Sequence, residues 1–101
     1  MNIAKMMKQA QQMQQKMGAV QAELAEKTVE GGAGGGKVTV VASCAGDVIS
    51  IKIDPAVIDP EDAEFLEELV LSGVNDAIAK GRALAEEEMK KVTGGLGLPG
   101  M

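Results

Sequence analysis

The segment KVTVVASCAGDVISIKI, residues 37–53, holds two runs rich in β-branched residues on either side of Ala45-Gly46. Such residues fit the pleated, half-buried surface of a strand, and a short Gly-containing link between two such runs is typical of a β-hairpin. The segment therefore predicts two antiparallel strands, residues 37–43 and 47–53, around which the rest of the chain is arranged.

With Ala45-Gly46 as the turn, this hairpin has one wholly apolar face. The pairs expected on that face are Val38 with Ile53, Val40 with Ile51 and Ala42 with Ile49. The opposite face is half polar, and its expected pairs are Thr39 with Lys52 and Val41 with Ser50. This contrast fits a sheet that is covered on one side only. A bulged turn with Gly46 in the left-handed region would shift the register by one residue, and both registers stay open.

A glycine-rich run, GGAGGGK at residues 31–37, precedes the hairpin and has the GxxxxGK spacing of a phosphate-binding loop. In such a loop Ser or Thr follows the lysine and a helix begins there, whereas here Val38 follows and Lys37 opens a strand. We therefore interpret the run as a flexible turn between a short strand near residues 27–31 and the strand that begins at Lys37.

Apolar residues near the N-terminus recur in alternating steps of three and four. They are Ile3, Met6, Ala10, Met13, Met17, Val20 and Leu24, and we call them the Met-rich seam. This a/d pattern predicts one long helix over residues 3–26, with Asn2 as a possible N-cap. Since the seam is too long for one small sheet to cover, it also favours association with a second copy.

A second set of residues follows another face of the same helix. Its members, the basic stripe, are Lys5, Lys8, Gln12, Gln15 and Lys16. Lysines near a helix N-terminus oppose the macrodipole, so helix stability does not explain them. Lysine and glutamine both donate to phosphate oxygens, which makes the stripe a candidate nucleic-acid surface. A solvated helix face is the alternative.

The C-terminal half predicts a second helix. Asp54-Pro55 ends the hairpin, Asp59 is the expected N-cap and Pro60 the first helical residue. Apolar spacing continues to about Val92, so the helix is either longer than 30 residues or broken once near Gly81. Small residues recur every fourth position and predict close packing against the sheet or a partner helix; they are Gly73, Ala77, Gly81 and Ala85. The single domain is expected to span residues 1–93, and residues 94–101 to form a flexible Gly-rich tail.

The amino-acid composition excludes several classes of function. The chain has 101 residues and no His, and Cys44 is its only cysteine, so imidazole chemistry and internal disulfides are excluded. We expect no enzyme activity, cofactor, metal or small-molecule substrate, and we attribute the acids of residues 54–68 to capping and solvation. No apolar run approaches the ~18 residues of a membrane span, so we expect no membrane partner and a cytoplasmic location. The net charge of -5 opposes nucleic-acid binding, but residues 1–22 carry three lysines and no acid.

Four short motifs occur in order along the chain: Ile53-Asp54-Pro55, LEELV at 66–70, Asn75-Asp76-Ala77, and GGL at 94–96 followed by LPGM at 98–101. With the long first helix and the glycine-rich hairpin, they closely resemble the YbaB/EbfC family of bacterial nucleoid-associated proteins over essentially the whole chain. The resemblance implies a two-layer α+β fold with a long N-terminal helix, a three-stranded antiparallel meander and a long C-terminal helix. It also implies a tweezer-shaped homodimer whose protruding helices bind DNA.

The resemblance also assigns roles to residues. Its DNA-binding candidates are Lys5, Lys8, Gln12, Gln15 and Lys16 on the first helix and, more weakly, Lys80, Arg82, Lys90 and Lys91 on the second. The expected dimer and core positions are Met6, Ala10, Met13, Met17, Val20, Leu24, Val40, Ile51, Gly73 and Ala77. The Ile53-Asp54-Pro55 and Asn75-Asp76-Ala77 motifs are interpreted as structural. The acidic run Glu86-Glu87-Glu88 argues against a DNA role for the second helix.

We therefore predict a homodimeric, non-enzymatic protein of the cytoplasm and nucleoid that binds double-stranded DNA mainly through phosphates and affects chromosome organisation, gene regulation or DNA maintenance. Phe65 is the only aromatic residue, which disfavours the stacking used by single-strand binders. The alternative function is a structural scaffold that recruits a protein partner through the Met-rich seam.

Overall fold

The computed structural model describes residues 2–95, with side chains described to residue 92. Its elements in chain order are α1 (Ile3–Glu26), β1 (Thr28–Ala33), β2 (Val38–Ser43), β3 (Val48–Ile53), a 3₁₀ turn (Pro55–Val57) and α2 (Ala63–Gly95). The three strands form one antiparallel sheet in the order β1-β2-β3. The predicted α+β architecture with its three-stranded meander is therefore confirmed.

The β2–β3 hairpin follows the predicted register for most of its length. The confirmed pairs are Val38 with Ile53, Thr39 with Lys52, Val40 with Ile51 and Val41 with Ser50. The expected pairing of Ala42 with Ile49 is wrong, because a bulge follows Val41 and Ala42 pairs with Val48. Gly46 has φ +101°, so the turn uses a left-handed glycine, and the extra residue that such a turn needs leaves Ile49 unpaired.

The glycine-rich run closes the β1–β2 hairpin. Gly34, Gly35 and Gly36 have φ values of +65°, +65° and +91°, a region that L side chains rarely adopt. The first half of the run belongs to β1, which extends to Ala33 rather than ending near residue 31. Residues 34–37 thus form the predicted turn between two strands, and a strand rather than a helix begins directly after it.

The core lies between α2 and the first two strands. Val38, Val40, Ala42 and Ala77 are fully buried, and α2 packs mainly on β1 and β2. Gly73, Ala77 and Gly81 of α2 face the sheet: a Cβ at Gly73 would lie 3.1 Å from the Val38 side chain. Small residues at these positions let the helix backbone approach the strands closely.

β3 is left largely uncovered by this packing. Val48, Ile49 and Ile51 are 42%, 56% and 43% exposed. Ile51, which the sequence assigns to the dimer or core positions, is therefore not buried within a single chain. Although Ile51 pairs with the buried Val40, α2 lies too far toward β1 to cover it.

α2 differs from its prediction at both ends. It begins at Ala63, and the Asp62 Oδ1 atom accepts a hydrogen bond from the Phe65 N–H at 3.4 Å. Asp59 instead accepts from the Glu61 N–H at 2.9 Å, a local Asx turn that competes with helix initiation, so its assignment as the N-cap is wrong.

The helix then runs unbroken through Gly81 for 33 residues, past the expected end at Val92. Gly94 and Gly95, assigned by sequence to the tail, are helical. The rest of that tail, residues 96–101, lies outside the described residues.

Candidate nucleic-acid interface

The molecule is elongated, 70 × 23 × 17 Å, and α1 packs against α2 and only slightly against the sheet. Its predicted N-cap is confirmed, since the Asn2 Oδ1 atom accepts from the Lys5 N–H at 3.1 Å. A helix of 24 residues is about 36 Å long, and its one buried residue, Leu24, lies near its C-terminal end. We call residues 3–17 of α1 the prong.

The base of α1 is held firmly. Leu24 is 5% exposed and lies near Ala85 and Met89 of α2, where the three border one cleft. Directly after the helix, the Lys27 N–H donates to the Glu23 carbonyl at 2.9 Å, and the Lys27 carbonyl accepts from the Cys44 N–H at 2.9 Å. The C-terminal end of α1 is therefore anchored to the body of the protein, and the prong extends from this anchored end.

The Met-rich seam changes character along α1. Leu24 is buried and Val20, Met17 and Met13 are half-buried, whereas Ala10, Met6 and Ile3 are exposed. Ile3, Met6 and Met7 are 67%, 54% and 60% exposed. Of the other positions assigned to the core or dimer, Val40, Gly73 and Ala77 are buried. Only the C-terminal part of the seam is thus covered within one chain.

The basic stripe lies entirely on α1, and all five of its residues are exposed. At 100° per residue the stripe is centred about 140° around the helix from the seam, so cationic and apolar side chains occupy separate faces. Within residues 2–95, Lys5, Lys8 and Lys16 make no ion pair. The first acid along α1 is Glu23, near its base. The prong therefore presents uncompensated positive charge.

The second-helix candidates are placed differently. Lys80 Nζ lies 3.0 Å from Asp76 Oδ2, and Lys91 Nζ lies 3.3 Å from Glu88 Oε1. Arg82 and Lys90 are exposed and border a cleft that also includes Glu86. Acids thus stand beside the cations of α2, which lowers the attraction of this helix for phosphate relative to the prong.

Asp54 and Asp76 serve the fold, which confirms the structural interpretation of their motifs. Asp76 Oδ2 accepts from the Gly32 N–H of β1 at 3.0 Å. This bond, followed by the hydrogen bond from Lys80, lowers the pKa of the Asp76 carboxyl. Asp54 caps the 3₁₀ turn through the Ala56 N–H at 2.9 Å, and this bond together with Lys37 lowers the Asp54 pKa.

Glu88 joins the two long helices, a role that sequence analysis missed. Its Oε1 atom lies 3.5 Å from Lys27 Nζ, just beyond α1, and 3.3 Å from Lys91 Nζ. The hydrogen bond from Lys91 lowers the pKa of the Glu88 carboxyl, and the positive charges of Lys27 and Lys91 act in the same direction. The i,i+3 spacing to Lys91 was a readable signal, but no local pattern connects Glu88 with Lys27.

Two other properties of the described residues bear on what this surface can do. Among residues 2–95, no group of three or more His, Cys, Asp or Glu side chains is placed to hold a metal ion. Over the same part of the chain, neither long helix has an apolar stretch sufficient to cross a bilayer. The feature that stands out chemically is the unpaired cationic face of the prong.

Comparison with known proteins gives consistent matches. The family model described as the YbaB/EbfC DNA-binding family matches residues 1–96. A protein of Akkermansia muciniphila named nucleoid-associated protein is 56% identical over 99 residues, which cover 98% of the chain and 95% of that protein. A protein of Acetivibrio thermocellus with the same name is 52% identical over 101 residues, covering 99% of the chain and 89% of that protein.

A solved structure shares the fold. The crystal structure of an uncharacterized protein from Helicobacter pylori superposes with a TM-score of 0.72 and covers 95% of this chain and 97% of its own. The two sequences are 21% identical, so this match bears on the fold alone.

Proposed function

The chain belongs to the YbaB/EbfC DNA-binding family, and from that premise we propose that it is a nucleoid-associated protein whose homodimer binds double-stranded DNA mainly through phosphates. The observation that carries the proposal is the prong, which has no acid and whose three lysines are exposed and make no ion pair within residues 2–95. Cationic side chains that project from an otherwise acidic body concentrate attraction for a polyanion at one place. This function would place the protein on the bacterial chromosome and requires no catalysis.

Phosphate contact is the mechanism that the residue types support. Lysine ammonium groups and glutamine amides donate to phosphate oxygens without reading base identity. Stacking on bases needs aromatic side chains, and Phe65 lies on α2 rather than on the prong. We therefore expect the prong to follow the backbone of a duplex, with little dependence on sequence.

A homodimer would use the uncovered face of β3. Val48 and Ile51 point to the same side of the sheet as the buried Val40 and Ala42, yet both remain exposed in one chain. Covering this apolar strip with the same strip of a second copy removes it from water, which is favourable by about 25 cal/mol per Å² of apolar surface. Such a dimer would carry two prongs, doubling the number of lysines that one duplex meets.

A salt series tests the mechanism directly. If each dimer neutralises about five phosphates, its affinity for a short duplex should fall by a few hundred-fold between about 50 and 200 mM salt. Fluorescence anisotropy of a labelled duplex measures this slope. An affinity that is independent of salt would contradict phosphate contact.

A second function rests on one specific observation. Ile3, Met6 and Met7 expose a flexible apolar surface at the end of the prong, the kind of surface that accommodates varied protein partners. A scaffold that recruits a partner through these residues would retain capture when Lys5, Lys8 and Lys16 are changed to Glu. DNA binding would be lost in the same variant while the dimer stays intact, so one protein distinguishes the two functions.

A further inference from the structure

Three charged groups meet where α1 leaves the body of the protein. Glu88 Oε1 on α2 lies 3.5 Å from Lys27 Nζ and 3.3 Å from Lys91 Nζ. The Glu88 side chain is only 19% exposed, whereas those of Lys27 and Lys91 are 43% and 65% exposed. One shielded carboxylate therefore holds two cations that reach it from different segments of the chain.

This contact lies at the base of α1, where a small tilt of the helix produces a large displacement of its far end. Lys27 is the C-cap residue of α1, and its backbone is already bonded to Glu23 and Cys44. Because α1 is about 36 Å long, a tilt of about 10° at its base moves Ile3 by about 6 Å. Each DNA strand carries one phosphate per about 3.4 Å of helix axis, so this tilt displaces Lys5 by more than the axial rise between successive phosphates.

We propose that Glu88 is a positioning residue for the DNA-binding prong: by holding Lys27, it sets the angle at which α1 leaves α2. The proposal rests on the proposed function, in which Lys5, Lys8 and Lys16 must reach phosphates together. Lys91, one turn along α2, donates to the same Glu88 Oε1 atom and holds the carboxylate in place on α2. Glu88 itself touches no DNA.

The direction in which Glu88→Gln changes the affinity for DNA distinguishes positioning from simple charge repulsion. By electrostatics alone, Glu88→Gln removes a negative charge and should strengthen binding to DNA. If Glu88 positions the prong, the same change weakens binding. The apparent affinity for DNA falls in proportion to the fraction of molecules whose prongs are oriented for binding. Because a dimer must align two prongs at once, we expect Glu88→Gln to weaken binding by about three- to tenfold.

The chain offers a matched control in the adjacent residue. Glu87 is exposed, and within residues 2–95 it makes no ion pair. Glu87→Gln changes the net charge by the same amount on the same helix, so it reports electrostatics alone. We expect its affinity for DNA to equal or slightly exceed that of the original protein.

A measurement without DNA tests the positioning itself. Nitroxide labels at Gln9→Cys on the prong and Ala79→Cys on α2, with Cys44→Ala to remove the native thiol, give one distance by electron double resonance. Labelled chains are diluted with unlabelled protein so that only distances within a chain are recorded. The distribution should broaden with Glu88→Gln and stay unchanged with Glu87→Gln.

Lys27→Gln provides a second route, because it removes the same contact from the α1 side and leaves Lys91 on Glu88. It should also broaden the distance distribution, and thermal melts by circular dichroism establish that each variant is folded. The proposal is overturned if both variants that break the Lys27–Glu88 contact keep the original distribution, or if Glu88→Gln binds DNA as tightly as Glu87→Gln. Should the original protein fail to bind DNA, the proposed function fails, while the distance measurement still decides whether Glu88 holds the prong.

Discussion

Gly31 of β1 lies directly beneath Ala77 of α2, so closely that a Cβ on Gly31 would fall 2.6 Å from the Ala77 Cα. The Ala77 backbone nitrogen would be closer still, and backbone atoms cannot move aside without shifting the whole helix. We expect Gly31→Ala to lower the free energy of unfolding by about 1–3 kcal/mol, as overpacking of a dense core does. Urea denaturation measures the change, and an unaltered midpoint would show that the helix is not in such tight contact.

At Gly18, in the middle of α1, an added side chain is expected to stabilise the protein rather than destabilise it. A Cβ there would have nothing within 4 Å, and the backbone is ordinary helix. Gly18→Ala should stabilise α1 by up to about 1 kcal/mol, because alanine loses less backbone entropy on becoming helical. A higher melting temperature by circular dichroism at 222 nm checks this. A lower one would indicate that the region needs the freedom of glycine.

Stability should depend on pH through Asp76. Its pKa lies below the ordinary value of 3.8, because the Gly32 N–H and then Lys80 stabilise the charged form. A group with a lowered folded-state pKa contributes stability that is present above its unfolded pKa and lost as pH falls through the folded value. We expect the melting temperature to drop below about pH 4, and Asp76→Asn to flatten that drop. Melts from pH 3 to 7 make the comparison, which fails if the two curves are parallel.

Ile51 and Lys52 lie on opposite faces of β3 and test the proposed dimer surface. Ile51→Glu places a charge on the apolar strip and should yield a particle of the 10.4 kDa chain mass instead of twice that value. Lys52→Glu, on the other face, should leave the dimer intact. Light scattering at micromolar concentration reads the mass. A dimer that persists in the Ile51→Glu variant would move the interface elsewhere.

Lys8 and Lys52 form a matched pair for the DNA surface. Both are exposed, and within residues 2–95 neither makes an ion pair, but only Lys8 lies on the prong. Lys8→Glu should weaken duplex binding by about tenfold or more and reduce the salt slope by about one per prong. Lys52→Glu makes the same change in net charge and should have a much smaller effect. Equal losses would mean that net charge, rather than the prong, governs binding.

Local sequence patterns were sufficient for much of this fold. The steps of three and four from Ile3 to Leu24 and the alternation through β2 and β3 were read correctly, because helix and strand periodicities are set by neighbouring residues. The five residues of the basic stripe were likewise found on one helix face. Their binding of DNA stays a prediction.

What local patterns missed depends on segments that meet only after folding. The shift of Ala42 from Ile49 to Val48 follows from the backbone conformation at Gly46, and both Val48 and Ile49 are apolar, so the apolar pattern did not choose between them as partners of Ala42. Asp59 and Asp62 are equally good caps by composition. The competing Asx turn at Asp59 decided between them.

The molecule's individual elements are thus encoded by spacing along the chain, whereas their arrangement depends on long-range contacts. Gly31 under Ala77 sets how closely α2 approaches β1, and this placement leaves Ile51 of β3 exposed. Glu88 meets Lys27 although most of the sequence separates them. Side-chain periodicity is a property of a few consecutive residues, but the free energy of such contacts exists only when the whole fold brings distant segments within a few ångströms.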